Sequence, residues 1–174
     1  MRTKFFTSLC LLILLGTNLS AQNSSYSEKY GNTLNLGLGI GYYGYIGHTL
    51  PVFNINYEFG LANNFTLAPF ATFYTYHQKY YRETVIPLGA KGTYYFDDIL
   101  GANSDWDFYL AGSLGFSIIN SSWDNGYSGD RSYYHSANPL FLDIHAGAEY
   151  HLSRKMGIFL DLSSGVSTLG IAFH

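Results

Sequence analysis

Cysteine is almost missing from this chain of 174 residues: the single one, Cys10, lies inside the apolar run from Phe5 to Leu15. Downstream of that run the chain can form no disulfide, thiolate metal site or thiol nucleophile. Charge is scarce as well, at 12% of residues against the ~25% of an ordinary soluble domain. Long apolar runs are lacking too, since Phe5 to Leu15 falls well short of the ~20 residues a spanning helix needs. A basic surface is also lacking: the net charge is −3, which argues against a nucleic-acid partner. No P-loop, dinucleotide fingerprint, HExxH or nucleophile elbow occurs, and the GLGIG stretch at 37–41 precedes no helical pattern. No cofactor is therefore expected. A chain with too few charges for water and no helix for a bilayer is left with the closed β-barrel, the other structure that satisfies every backbone group in lipid.

What is present begins with a leader. Arg2 and Lys4 precede the apolar run, and Gly16, Thr17, Asn18, Leu19, Ser20 and Ala21 follow it, the three-part layout of a secretory signal peptide. Cleavage after Ala21 divides the chain into a signal peptide over 1–21, a short N-terminal segment over 22–31 expected to be unstructured, and one domain over 32–174. Loss of Arg2 and Lys4 leaves seven basic residues against the 12 acidic ones, a mature charge of −5.

The chain as a whole is rich in tyrosine (17) and glycine (19), and the part after the leader alternates. Leu34, Leu36, Leu38, Ile40 and Tyr42 interleave with Asn35, Gly37, Gly39 and Gly41, which is strand periodicity. Glycine is a poor strand former in water but suits the crowded interior of a narrow barrel. Phe53, Ile55, Tyr57 and Phe59 alternate with Asn54, Asn56 and Glu58. FTLAPFATFYTY, over 65–76, shows two faces too alike to assign. Ile86, Leu88, Ala90, Tyr94 and Phe96 oppose Gly89, Lys91, Thr93 and Tyr95. Phe108, Leu110, Leu114, Phe116 and Ile118 oppose Tyr109, Ala111, Ser113, Gly115 and Ser117. Leu140 to Leu152 opposes Asp143, His145, Gly147, Glu149 and His151, and two shorter segments, MGIFLDLS and STLGIAFH, end the series. The pattern predicts an all-β, eight-stranded antiparallel up-and-down transmembrane β-barrel, its even strand count and ~10-residue strands suiting a bilayer. With both termini in the periplasm, outward loops fall at 44–50, 77–84, 120–138 and 163–166, and turns at 60–64, 97–105 and 153–155.

Taken with the leader, residues 32–174 resemble the small OmpA-like and OmpX-like outer-membrane barrels, in strand pattern and in the alternating end Leu169, Ile171, Phe173. His174 follows where such proteins commonly end on an aromatic. Tyr42, Tyr43, Phe59, Phe65, Tyr94, Tyr95, Phe96, Trp106, Phe108, Phe116, Tyr150 and Phe173 gather toward strand ends, as interfacial girdles do. The resemblance implies an outer-membrane location, contact with lipid and lipopolysaccharide, insertion by the barrel-assembly machinery, and a monomer.

The polar face gathers Glu58, Lys91, Asp143, His145, Glu149, His151 and Asp161 into the lumen of a barrel too narrow for much besides side chains. Buried charges must be paired or hydrated, so these residues predict a closed ionic network in preference to a narrow channel for small or apolar solutes. A metal reading arises because Asp143, His145, Glu149 and His151 share one strand face. Neighbours on a face stand ~6.6 Å apart, so a compact site needs ligands from other strands. His135 and Ser136 are adjacent in a loop, whereas lipid A deacylases place one spacer between them on a strand; an enzyme is not expected. Trp123, Tyr127, Tyr133 and Tyr134 make 120–138 the candidate contact surface for an extracellular ligand. A soluble lipocalin-like barrel would turn the leucine face inward and show dense charge outside, where this chain has Gly, Ser, Asn and Ala. The expected role is structural or surface-interacting.

Overall fold

The structure, a computed structural model, describes residues 30–41, 50–124, 126 and 138–174. Eight strands follow one another: β1 Thr33–Gly41, β2 Leu50–Ala62, β3 Phe65–Gln78, β4 Tyr81–Tyr95, β5 Trp106–Trp123, β6 Leu140–Ser153, β7 Met156–Ser163 and β8 Val166–Phe173. Each pairs antiparallel with its neighbour in sequence, and β1 pairs with β8, from Leu34 opposite Phe173 to Gly41 opposite Val166, to close the barrel. Closure gives every strand a partner on both sides, which is what a sheet in lipid requires.

The alternation sets the two faces. Leu36 and Leu38 on β1, Ile55 opposite Leu36 on β2, and Leu160 opposite Leu169 across β7 and β8 are exposed on the outside. Between them Asn35, Asn56, Asp161 and Thr168 are buried inside. The apolar face therefore points out and the polar face in, the reverse of a soluble ligand-binding barrel, and the lipocalin-like alternative falls. An exposed apolar belt running around all eight strands exceeds the patch a soluble monomer carries.

Strand β3 now has an assigned facing: Thr66, Ala68, Thr72, Tyr74 and Tyr76 point in, while Phe65, Leu67 and Phe73 point out. Its two faces look alike in sequence because the barrel holds aromatics on both. Tyr95, counted with the girdle as well as on the polar face of its strand, is buried inside the barrel, so the girdle assignment is corrected. Its parity with Lys91 and Thr93 outweighs its place at a strand end.

Three connections differ from expectation. The 77–84 loop is a two-residue turn at Lys79 and Tyr80, with Lys79 at φ 50°, and the strands run up to it on both sides. The 97–105 turn contains a short helix, α1, Asp97–Leu100. Strand β5 runs on to Trp123 into the segment read as loop. Strand β6 begins at Leu140, opposite Phe116, so the last residues of β5 are laddered to β4 alone, ending at Tyr81 opposite Trp123. Among the described residues, the β3 to β5 wall thus stands taller than the rest of that rim. The signal peptide, most of the 22–31 segment, and Tyr42, Tyr43, Tyr127, Tyr133, Tyr134, His135 and Ser136 lie outside the described residues.

Candidate functional site

The interior divides into three layers along the barrel axis. At the tall rim, Val52, Tyr74, Tyr76, Tyr81 and Val85 form an apolar and aromatic cluster against Ile119, Trp123 and Val166. Trp123 is thus half-buried against the Tyr81 ring, 4.9 Å between centroids, and is no free loop residue. Glu83 is buried in the same layer, where Tyr81 donates its hydroxyl proton to the Glu83 carboxylate.

The middle layer centres on Lys91 and Asp161. Strand parity aims both inward from opposite walls, β4 and β7, and Lys91 Nζ donates to Asp161 Oδ2 at 3.3 Å with Glu58 Oε1 3.9 Å away. Tyr109 donates to the same Asp161 oxygen at 3.2 Å, and its ring lies 5.5 Å from Lys91 Nζ. Glu58 accepts from Asn35 at 3.0 Å, Thr66 at 2.6 Å and Tyr95 at 2.7 Å. Two buried carboxylates therefore share one lysine, and hydroxyl and amide donors satisfy the rest of their lone pairs.

Asp161 Oδ1 faces His145 Nδ1 at 2.7 Å, and His145 Nε2 faces Ser113 Oγ at 2.9 Å. This has the connectivity of a Ser-His-Asp relay. Two features weigh against an acyl-transfer role. The cavity shared by Ser113, His145, Lys91 and Asp161 holds about 40 Å³, room for a water or two and not for an ester. The strand N–H groups that an oxyanion hole would use are committed to the barrel ladder on both flanks of Ser113, opposite Lys91 and Asp143. The relay holds Asp161 in place.

The third layer lies at the end carrying both chain termini of the barrel. Tyr30, within the segment expected to be unstructured, is buried there, stacks on Tyr95 at 4.1 Å and donates to Asp97 Oδ2 at 2.6 Å. His151 Nε2 lies 2.8 Å from Asp107 Oδ2, and His174 Nε2 lies 2.8 Å from Glu149 Oε1.

The seven lumenal residues named from sequence thus form no single network. Glu58, Lys91, His145 and Asp161 meet in the middle; Glu149 and His151 meet at the terminal end; Asp143 sits toward the tall rim, accepting from Ser164 at 3.1 Å. Sequence reasoning passed over Asp107, Tyr109 and His174 as site residues. Strand parity could have found all three: Asp107 and Tyr109 alternate inward with Ser113, and His174 continues the inward row of Thr168 and Ala172.

No family model and no characterised relative matches the sequence. Several solved structures are similar in fold. Neisserial surface protein A shares 16% identity at a TM-score of 0.59, over 81% of this chain and 94% of that one. Ail, the attachment invasion locus protein of Yersinia pestis, shares 13% identity at a TM-score of 0.51, over the same shares of the two chains. The chain accordingly has the fold of the small eight-stranded outer-membrane barrels.

Proposed function

We propose that this protein is a monomeric, non-enzymatic outer-membrane barrel that displays a surface-interaction structure on a scaffold whose lumen does not conduct. The observation that carries the reading is Lys91 tied across the lumen to Asp161 and Glu58, with Tyr95 and Tyr109 packed at 5.7 Å on the terminal side. A lysine removed from that position would strand two buried carboxylates, so the closed arrangement is the stable one. The β3 to β5 wall and the 124–138 connection are then the parts left for recognition. The solved relatives are, by name, a surface protein and an attachment protein, which agrees with display at the cell surface.

Two experiments test this. Detergent-folded protein should migrate as a heat-modifiable band and give no steady ion current in planar bilayers; a current whose selectivity changes in Lys91→Gln would replace the plug with a pore. The cysteine-free mature chain also permits Lys79→Cys and Lys155→Cys to be labelled with a membrane-impermeant maleimide on intact cells. Labelling at 79 and not at 155 supports display of the tall rim, and the opposite pattern overturns it. A fluorophosphonate probe that modified Ser113 would overturn the non-enzymatic reading.

A further inference from the structure

We infer that the terminal mouth of the barrel binds one divalent transition-metal ion of the zinc class, with Glu149, His151 and His174 as ligands and Asp107 as the positioning carboxylate. The inference does not depend on whether the lumen conducts.

Ladder register builds the group from three walls. Glu149 and His151 are two apart on β6 and so share its inner face. Asp107 on β5 pairs with Glu149, and His174, just beyond β8, is pinned by its backbone N–H to the carbonyl of Lys155 at 3.1 Å. One ligand atom from each of Glu149, His151 and His174 lies within 4.8 Å of the others. Gly157, opposite His151, is what admits the Glu149 side chain, because a Cβ there would overlap the carboxylate. The two imidazole rings lie nearly parallel, 4.9 Å apart and 20° inclined.

The supporting contacts are those of a ligand set. Asp107 Oδ2 holds His151 through Nε2, the carboxylate–histidine pairing that orients imidazole ligands. Thr33 Oγ1 lies 3.1 Å from His174 Nδ1 and fixes that ring while its Nε2 faces Glu149. Asp107 carries a second, independent sign. It is 4% exposed, it lines the same cavity of about 50 Å³ as the three ligands, and its Oδ1 is buried with no hydrogen-bond partner among the described residues. A buried carboxylate oxygen left unmatched is costly, and a cation in that space offsets the cost. Two carboxylates and two neutral imidazoles carry a charge of −2, which one divalent ion cancels. Imidazole with carboxylate selects Zn²⁺ or its first-row neighbours over Ca²⁺ and Mg²⁺, which take all-oxygen sites.

The alternative is that both histidines are protonated and simply clasp the two carboxylates, and titration with metal decides between them. The full mature chain, folded in detergent without a histidine tag and stripped with chelator, is titrated with Zn²⁺ by calorimetry. We expect one equivalent to bind. His151→Ala and His174→Ala should each weaken binding at least ~100-fold, Asp107→Asn by ~10- to 100-fold, and the exposed control Arg154→Ala not at all. Absence of stoichiometric binding, or binding unchanged in both histidine variants, overturns the proposal. Should those variants fail to fold, the unaltered chain still decides: Co²⁺ must give ligand-field absorption bands that one equivalent of Zn²⁺ removes, and no bands means no site. The heat-modifiable band, followed in parallel, separates loss of the site from loss of the barrel.

Discussion

Along β6 the two faces of one strand obey different rules. Leu140, Leu142 and Ile144 stand 74%, 77% and 72% exposed on the outside, while Asp143, His145 and Glu149 turn inward. Outside, each side chain faces lipid and at most a neighbour on the same surface, as Trp106 packs on Tyr150 at 4.9 Å, so most apolar residues of reasonable size serve. Inside, each meets side chains from two or three other strands, so identity matters and the groups stand or fall together. Lys91 touches residues of β2, β5 and β7. The lesson is that the same backbone alternation carries a permissive code on one face and a restrictive one on the other.

That contrast can be broken from the inside first. Lys91→Ala leaves Glu58 and Asp161 buried without their shared cation and should cost about 3–5 kcal/mol in chemical unfolding from detergent micelles or bilayers. Adding Glu58→Gln and Asp161→Asn to a Lys91→Met background should recover most of it, because the buried charge goes with its partner. Next in size is an attack on the permissive face: Leu142→Arg puts a charge into lipid and should cost about 2–4 kcal/mol if the position lies near the bilayer midplane, with no effect on the lumenal contacts. Gly147→Ala comes third. A Cβ there would overlap the Tyr109 ring, and overpacking of this kind costs about 1–3 kcal/mol. The smallest change is expected from Leu142→Met, an outward swap that keeps volume and should stay under about 1.5 kcal/mol in the same assay. If Leu142→Met and Lys91→Ala proved equally damaging, the distinction between the faces would be gone.

The permissive face is also the legible one. Leu36, Leu38, Ile40 and their counterparts announce the strands because apolar against non-apolar is all the outer face has to encode. Lumenal positions can be located by parity, but their partners depend on register across several strands. Nothing near Glu149 in the chain points to His174 or Gly157, and nothing near His145 points to Ser113. Parity gives no answer where both faces hold aromatics, as in β3, whereas at Tyr95 it holds and the strand-end position misleads. The tall wall was hidden for a different reason: Thr84, Glu83 and Arg82, and Asn120 to Ser122 opposite them, are polar enough to read as loop, yet they are laddered in sequence.

Gly147 and Tyr109 pair across β5 and β6 and share one volume. The tyrosine ring occupies the place a larger residue at 147 would need, so neither position is free to drift by itself. In descendants of this gene the two should change as a couple, a small residue at 109 arriving with alanine or serine at 147, while the leucines a few ångströms away on the outer surface exchange freely. Inheritance inside the barrel would thus be written in pairs, and on its outside in single letters.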